Sequence, residues 1–445
     1  MKRKLKEEII IFISVIKWVV LASITGAVVG VSTTVFVKSL NRGASLNLVR
    51  YYYLSIPAGL LLSWLIIRYI APEAEGHGTN KAIEAVHKES GKIRPIASVV
   101  EFIRTLITIS SGGSAGKEGP SAQIGAGMAS MFADILRFEG PDRRKLVICG
   151  ISGGFASVFG APLAGAIFGL EALFVGTIIY DVLLPSFVAG IISYQVSSRL
   201  GLTYFYRPIT LVPVFSQGFF IKVIVAGVFF GLVSFLFIEI LAIFKKLSSA
   251  LKSPMWLKCV AAGAALAVIT FIFTGRYLGL GLDVIQSAIE GEHVPWYAFI
   301  LKSITTGITL YFGGSGGKIT PAGFVGSTAG SALSRIINMD PAMLSAIGFV
   351  SLLAGAANTP IAASIMSIEL FGPEVAPYAA ISCVISYIIT GHRSIYPSQV
   401  LAAKKSSSIN VEVGSEMEKL SPDYLDREKS LTGTLIRIWQ RLSKR

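Results

Sequence analysis

Residues 112–120 read GGSAGKEGP and residues 313–321 read GGSGGKITP. At a spacing of 313 − 112 = 201, Gly112, Gly113, Ser114, Gly116, Lys117, Pro120 and Gly125 face Gly313, Gly314, Ser315, Gly317, Lys318, Pro321 and Gly326. Further on, APLAGAIFGLE (161–171) faces TPIAASIMSIE (359–369), which matches Pro162, Ala164, Ile167 and Glu171 with Pro360, Ala362, Ile365 and Glu369. Two motif pairs nearly in register are poorly explained by chance. They predict two homologous halves, 1–205 and 206–402, followed by a tail, 403–445. Each Gly-rich stretch leads into a proline and then a helix-compatible run. Glycine lets a backbone approach a ligand closely, and proline suits a helix's first turn. Such a start leaves N–H groups unpaired, with the positive end of the helix dipole behind them, which is a ready anion site. Close helix packing is the plainer use of glycine in a membrane. Two matching loops, each opening a short helix, favour ion binding.

Composition sets the surroundings of these loops. Of 445 residues 53% are apolar and 15% are charged, against about 25% charged in soluble chains. With a mean hydropathy of +0.66, a soluble globule and general disorder are excluded. Cys149, Cys259 and Cys383 are too few, and too deep in apolar runs, for a disulfide scaffold. The chain reads as a polytopic membrane protein. The formal charge of 40 − 26 = +14 is topology rather than nucleic-acid binding. Lys2, Arg3, Lys4 and Lys6 precede the first apolar run, Arg143, Arg144 and Lys145 separate two others, and Lys245 and Lys246 follow another. That pattern puts these points, and the N-terminus, on the cytoplasmic side. No cleavable signal peptide is expected, because the first run continues from about Ile9 to Val37. The runs Gly218–Phe244 and Cys259–Phe273 are also uninterrupted. Pro162–Leu173, Ala342–Ala357 and Pro360–Leu370 are too short to span alone, as half-helices meeting at an internal site would be.

A phosphate-binding loop is the nearest rival, and it fails twice: Ser111 takes the first glycine position, and Glu118 stands where Ser or Thr must hold magnesium. The four histidines, 77, 87, 293 and 392, form no metal motif. No metal, no cofactor and no enzymatic activity are expected. Within the repeat the informative residue is the one that differs. Glu118 sits where the second half has Ile319. An ionised carboxylate competes for the N–H groups an anion would use, and a protonated one releases them. A membrane carboxylate so placed is a functional candidate by default, a gate and proton carrier in one side chain, the plainer reading being a Glu that faces an aqueous vestibule.

GKEGP at 116–120 resembles the G-[KR]-E-G-P motif of the CLC chloride channel and chloride/proton exchanger family. The resemblance runs from about residue 15 to 402. It takes in Gly76-His77-Gly78, APLAG at 161–165, GGKITP at 316–321 where the family often has GGIFAP, and Tyr396, expected in a final short helix. It implies an all-α polytopic membrane fold of about 18 tilted, partly broken helices in two inverted-repeat halves. It also implies a homodimer with one pore per subunit, in membrane lipid, carrying chloride ions and protons. Proton-coupled Cl⁻/H⁺ exchange leads; a gated passive chloride channel, and selectivity for another anion such as nitrate or fluoride, remain open. By the same resemblance Glu118 is the gating and proton-transfer glutamate. Gly76, His77, Gly78, Lys117, Gly119, Lys318, Ile319 and Tyr396 form the anion-binding positions.

Three positions depart from the family. His77 replaces a serine, and it either donates to the anion or turns away. Lys318 replaces an apolar residue, adding positive potential or reaching an aqueous face. Ala172 stands where many exchangers carry the internal proton-relaying glutamate. Its neighbour Glu171, repeated as Glu369, reads as a buried structural acid. The polar stretch 403–430 reads as cytoplasmic and is too short for the paired CBS domains of eukaryotic members, which favours a prokaryotic-type protein of the plasma membrane with both termini cytoplasmic. Leu435, Ile438, Trp439 and Leu442 share a helical face, suited to an anionic membrane surface or to docking on the protein.

Overall fold

In this computed structural model the described residues are 2–44, 52–72, 76, 78–209, 216–421 and 423–424. The amphipathic stretch 435–442 lies outside them. Among them are sixteen helices: α1 (Lys2–Ala44), α2 (Ile56–Ile70), α3 (Gly78–Lys88), α4 (Pro95–Ser110), α5 (Glu118–Ile135), α6 (Gly140–Phe159), α7 (Pro162–Glu171), α8 (Leu183–Arg199), α9 (Gln217–Ala250), α10 (Met255–Phe273), α11 (Leu282–Ile289), α12 (Ala298–Tyr311), α13 (Ile319–Ile337), α14 (Pro341–Ala357), α15 (Pro360–Phe371) and α16 (Ala376–Ile389). Punctuation in the sequence explains many of their ends. Proline opens α4, α7, α14 and α15. Left-handed Gly160 closes α6 and left-handed Asn358 closes α14; a proline two residues later starts the next helix, so the chain reverses alike in both places.

Only the segments 4–44, 52–70, 217–250 and 255–273 are long and apolar enough to cross a bilayer among the described residues. The shorter apolar helices, α7, α12, α14, α15 and α16, are too short to cross alone, and termini left inside a bilayer must be satisfied by other parts of the protein. Glu171 and Glu369 do this reciprocally. The Glu171 carboxylate, at the end of α7, accepts the N–H groups of Ile361 and Ala362 at the start of α15 (3.0 and 2.8 Å). The Glu369 carboxylate in α15 accepts those of Leu163 and Ala164 at the start of α7 (both 2.9 Å). The structural-acid reading of Glu171 thereby acquires a mechanism.

Packing repeats as well. α5 lies on α6 as α13 lies on α14, α1 on α8 as α9 on α16, and α6 on α8 as α14 on α16. A Cβ on Gly125 would strike the Gly150 carbonyl, and one on Gly326 that of Gly348, so both pairs are held to glycine by backbone contact. The repeats run in opposite directions. Lys17 in the first half of α1 pairs with Asp142 at the start of α6 (2.6 Å), and Arg144 reaches Ser90 just beyond α3 (3.1 Å). Lys88 at the end of α3 pairs with Glu416 (2.7 Å), while Lys245 near the end of α9 pairs with Glu418. One rim of the molecule therefore holds the first half of α1 and the end of its counterpart α9, which is an inversion.

One expectation is corrected: Tyr396 lies in an irregular loop instead of a final short helix. The polar groups of that loop are engaged elsewhere: the Ile395 N–H donates to Ala356 (2.9 Å), the Ile395 carbonyl accepts from Lys318 Nζ (2.9 Å), and the Tyr396 N–H donates to the Ser394 hydroxyl (2.9 Å). The polar stretch beyond residue 403 is likewise folded in part. Strand β1 (Phe174–Val175) pairs in parallel with β2 (Val400–Leu401), and β3 (Ile409–Asn410) pairs antiparallel with β4 (Asp423–Tyr424). Val175, Leu401, Val411 and Met417 form a small separate core on the lysine-rich rim.

Glu171→Ala should lower the thermal midpoint in detergent, since it strands two N–H groups at roughly 1–3 kcal/mol each. Glu369→Ala should cost less, because Glu369 is only half-buried; equal midpoints for the two variants would contradict the reciprocal-cap account. Lys88 hydrogen-bonds Glu416 and holds its carboxyl below the ordinary 4.5, against partial burial. A depressed carboxyl stabilises fully above its unfolded value, and that contribution is lost as pH falls. Amide exchange across 409–420, corrected for intrinsic rate, should therefore accelerate below about pH 4.5, and less so in Glu416→Gln.

Candidate functional site

The Gly-rich loops meet at the centre. The N–H of Gly116 donates to the carbonyl of Gly317 and the N–H of Gly317 to that of Gly116, both at 2.7 Å, in an isolated antiparallel bridge. Beside it the Ser114 N–H donates to the Thr309 hydroxyl and the Ser315 N–H to that of Thr108, both at 3.0 Å. These reciprocal pairs mark a local two-fold relation. They also set the starts of α5 and α13 against each other: a Cβ on Gly119 would lie 2.8 Å from the Gly317 Cα. The start of α3 packs against the same point, because a Cβ on Gly78 would lie 2.5 Å from the Gly119 carbonyl carbon. Three helix starts thus share one buried place. Lys117 and Lys318, at the N-caps of α5 and α13, cap neither helix with their side chains.

Glu118 occupies part of this place. It is 2% exposed, and its carboxylate reaches across the bridge to α13. Oε2 accepts the Thr320 N–H at 3.2 Å and the Thr320 hydroxyl. A side-chain carboxylate of the first half therefore sits on the N-terminus of the second half's helix, where a free anion would bind. On the side of the Tyr396 loop, the buried hydroxyls of Tyr396 and Thr79 face each other and meet no other hydrogen-bond partner among the described residues. Thr79 follows Gly78 at the start of α3. Two buried hydroxyls paired only with each other leave one O–H to donate, which next to helix starts fits a bound group that accepts hydrogen bonds.

The structure thus gathers Gly78, Lys117, Glu118, Gly119, Lys318, Ile319 and Tyr396, while Gly76 sits just outside, against the Lys81 side chain. His77 lies outside the described residues. Gly78 departs from expectation in one respect: its N–H is engaged by the Glu101 carboxylate, so it is not an open donor. Lys318 contributes its backbone at α13, but its ammonium turns to the Ile395 carbonyl and lies 5.7 Å from the Tyr311 ring. Ala172 is 1% exposed, and its carbonyl accepts from Gln399 Nε2 at 3.0 Å, so an amide rather than a carboxylate stands near this position. Sequence reading missed Thr320, Thr79 and Glu101. Thr320 was within reach, being the residue that the repeat sets against Gly119. Glu101 joins Gly78 to Ser315, whose hydroxyl donates to it at 2.9 Å.

A cavity of about 710 Å³ runs from the lysine-rich rim to Lys318, Ser394 and Ile395, beside Tyr396. Its outer wall carries Lys245 and Lys246.

Comparison with known proteins follows this geometry. A family model described as "Voltage gated chloride channel" matches residues 58–391. A chloride/fluoride channel protein of Pseudomonas syringae pv. tomato is 35% identical over 402 residues, 87% of each chain. The voltage-gated ClC-type chloride channel ClcB of Shigella flexneri is 29% identical over 360 residues, 77% of this chain and 84% of that one. Among solved structures, a CLC-type fluoride/proton antiporter superposes with a TM-score of 0.83 at 26% identity, covering 86% of this chain and 98% of its own. A slow cyanobacterial Cl⁻/H⁺ antiporter, with a TM-score of 0.73 at 17% identity, shares the fold.

Because Glu118 competes for donors that an anion would use, Glu118→Ala should bind fluoride or chloride more tightly than the unaltered protein. Two charge-assisted hydrogen bonds are removed from competition, so roughly ten-fold or more is expected by calorimetry. Weaker binding would mean that the carboxylate supports the anion instead of replacing it.

Proposed function

The chain belongs to the voltage gated chloride channel family of anion-transporting membrane proteins, and we propose that it exchanges a small halide for protons, with fluoride ahead of chloride. One observation carries the coupling: Glu118 sits on the N–H and hydroxyl of Thr320. While ionised, Glu118 fills the anion's seat. An arriving anion displaces it, and a displaced carboxylate that takes up a proton can swing away neutral and deliver it on the far side. Anion and proton then alternate on one set of donors, which is the logic of exchange. Ala172 does not oppose this, since the cavity beside Tyr396 gives water access from the rim without a fixed inner carboxylate.

Fluoride is favoured by the donors. It is the smallest halide and the strongest hydrogen-bond acceptor, so it repays dehydration only where several close donors converge. The Thr320 hydroxyl adds to the helix-start N–H groups, and the hydroxyl pair of Tyr396 and Thr79, with one O–H left to donate, lies beside them. The names of two similar proteins, a chloride/fluoride channel protein and a fluoride/proton antiporter, lend support.

The lysine-rich rim that gathers Lys17, Lys88, Arg144 and Lys245 is the cytoplasmic one by the positive-inside rule, with the plasma membrane as the setting. Two inverted repeats, 1–205 and 206–402, form one transport unit. A homodimer seam fits the exposed apolar residues Leu163, Ile191, Ile361, Ile368, Val384 and Ile388, carried by the mutually packed helices α7, α8, α15 and α16.

Purified protein in liposomes with a fluoride gradient should drive protons uphill in the opposite direction. Glu118→Gln should abolish proton movement while anion flux persists. Anion flux without proton movement in the unaltered protein would leave a channel, and chloride flux exceeding fluoride flux under equal gradients would reverse the selectivity.

A further inference from the structure

The cavity on the lysine-rich rim has a feature that exchange at Glu118 does not use. Its inner end is bounded by Lys318, Ser394 and Ile395, and its outer end by Lys245, Lys246 and Glu418. Three lysines against one glutamate make it an electropositive funnel leading to the loop of Tyr396. Low-dielectric walls lined by one sign of charge concentrate the opposite ion. The single carboxylate comes from the tail. Glu418 pairs with Lys245, and both side chains remain about half exposed, at 58% and 48%. An ion pair so exposed is weak and readily displaced.

The same tail segment holds the Tyr396 loop by its backbone. The Met417 N–H donates to the Gln399 carbonyl at 2.8 Å and the Glu418 N–H to the Pro397 carbonyl at 3.1 Å. Met417 is anchored in the small core with Val175, Leu401 and Val411. Glu416, two residues before Glu418, pairs with Lys88 on α3. The segment therefore spans the rim from α3 in the first half to α9 in the second, gripping the loop between them.

We propose that tail residues 416–418 regulate anion entry: Glu418 is a tethered carboxylate that occupies Lys245 at the mouth of an anion antechamber, and incoming anions must outcompete it there. The inference rests on the anion-transport reading above. A tail carboxylate at the mouth lowers local anion concentration at low ionic strength and matters little at high salt, where charges are screened beyond about 8–10 Å. It acts only on anions arriving from the tail side.

The test uses full-length protein in liposomes, with the apparent KM for fluoride measured separately for each side. Glu418→Gln should lower the tail-side KM about two-fold at low ionic strength, the effect of one unit charge several ångströms away in water. The difference should vanish at high ionic strength, and the opposite-side KM should not change. Lys245→Gln should raise the tail-side KM, and the exchange Glu418→Lys with Lys245→Glu should restore it toward that of the unaltered protein. A tail-side KM unmoved by Glu418→Gln, or moved equally on both sides, would overturn the proposal. If the unaltered protein carries no anion at all, the transport reading falls instead; if it does and Glu418→Gln matches it, only the tail inference falls. Unchanged thermal midpoints would show that the variants differ in charge rather than in folding.

Discussion

Two hydrogen bonds of 2.7 Å between Gly116 and Gly317 fix the rest of this molecule. They join the repeats backbone to backbone at the centre, and no side chain fits between the surrounding helix starts. Once that bridge forms, α5 and α13 must begin within a residue or two of it, facing each other with unpaired N–H groups. The protein then has either to admit an anion there or to supply one. Glu118 supplies one, and in the exchange we propose, displacing that carboxylate turns a structural necessity into a transport cycle. The same solution recurs at the short helices, where Glu171 and Glu369 cap each other's neighbours. Those two caps are matched and static, whereas the central one is single.

Symmetry in the scaffold makes the asymmetry in chemistry informative. Glu118 faces Ile319 in the repeat, and Gly119 faces Thr320. One half brings the carboxylate and the other brings the hydroxyl that receives it. A third pair follows the same rule, since Glu101 in α4 faces Lys302 in α12. Glu101 accepts the N–H of Gly78 at the start of α3. Lys302 instead donates to the carbonyls of Gly279 (2.9 Å) and Tyr277 (3.3 Å), just before α11. Opposite charges thus support equivalent loops, and the two helix starts end with opposite electrostatic surroundings. Symmetric helix starts would offer an anion the same surroundings twice; here the two differ.

Much of this was legible before the structure, and for a physical reason. Backbone close approach demands glycine and helix starts favour proline, so the central bridge and the reversals at Pro162 and Pro360 left residues that few other features would require. Glu118 was legible because its counterpart cannot ionise. Thr320 was marked only by facing Gly119 in the repeat, a weak signal, because threonine in a membrane helix usually bonds its own preceding turn, as Thr328 does with the Phe324 carbonyl at 2.8 Å. Tyr396 was found by resemblance, yet its helical setting was wrong. Its loop is held by partners scattered from α3 to the tail, and no local pattern records them. The folding of the tail was hidden similarly, since its apolar anchors, Val411 and Met417, are only two among many charges.

The grip on that loop decides where the structure can yield. From α13, Lys318 holds Ile395; from α14, Ala356 accepts the Ile395 N–H and the Ala357 carbonyl accepts from Gln399 at 2.8 Å; from α3, Asn80 accepts the Ser398 N–H at 3.0 Å. Gln399 is fully buried and also reaches Ala172. Losing any of these would strand a buried polar group, at roughly 1–3 kcal/mol. The Glu418–Lys245 contact carries no such penalty, because water can replace either partner. Local opening begins where the lost interactions are exposed. The side-chain clasp of the tail is therefore the part of this assembly that can release at little cost, while the Tyr396 hydroxyl stays fixed beside the helix starts it completes.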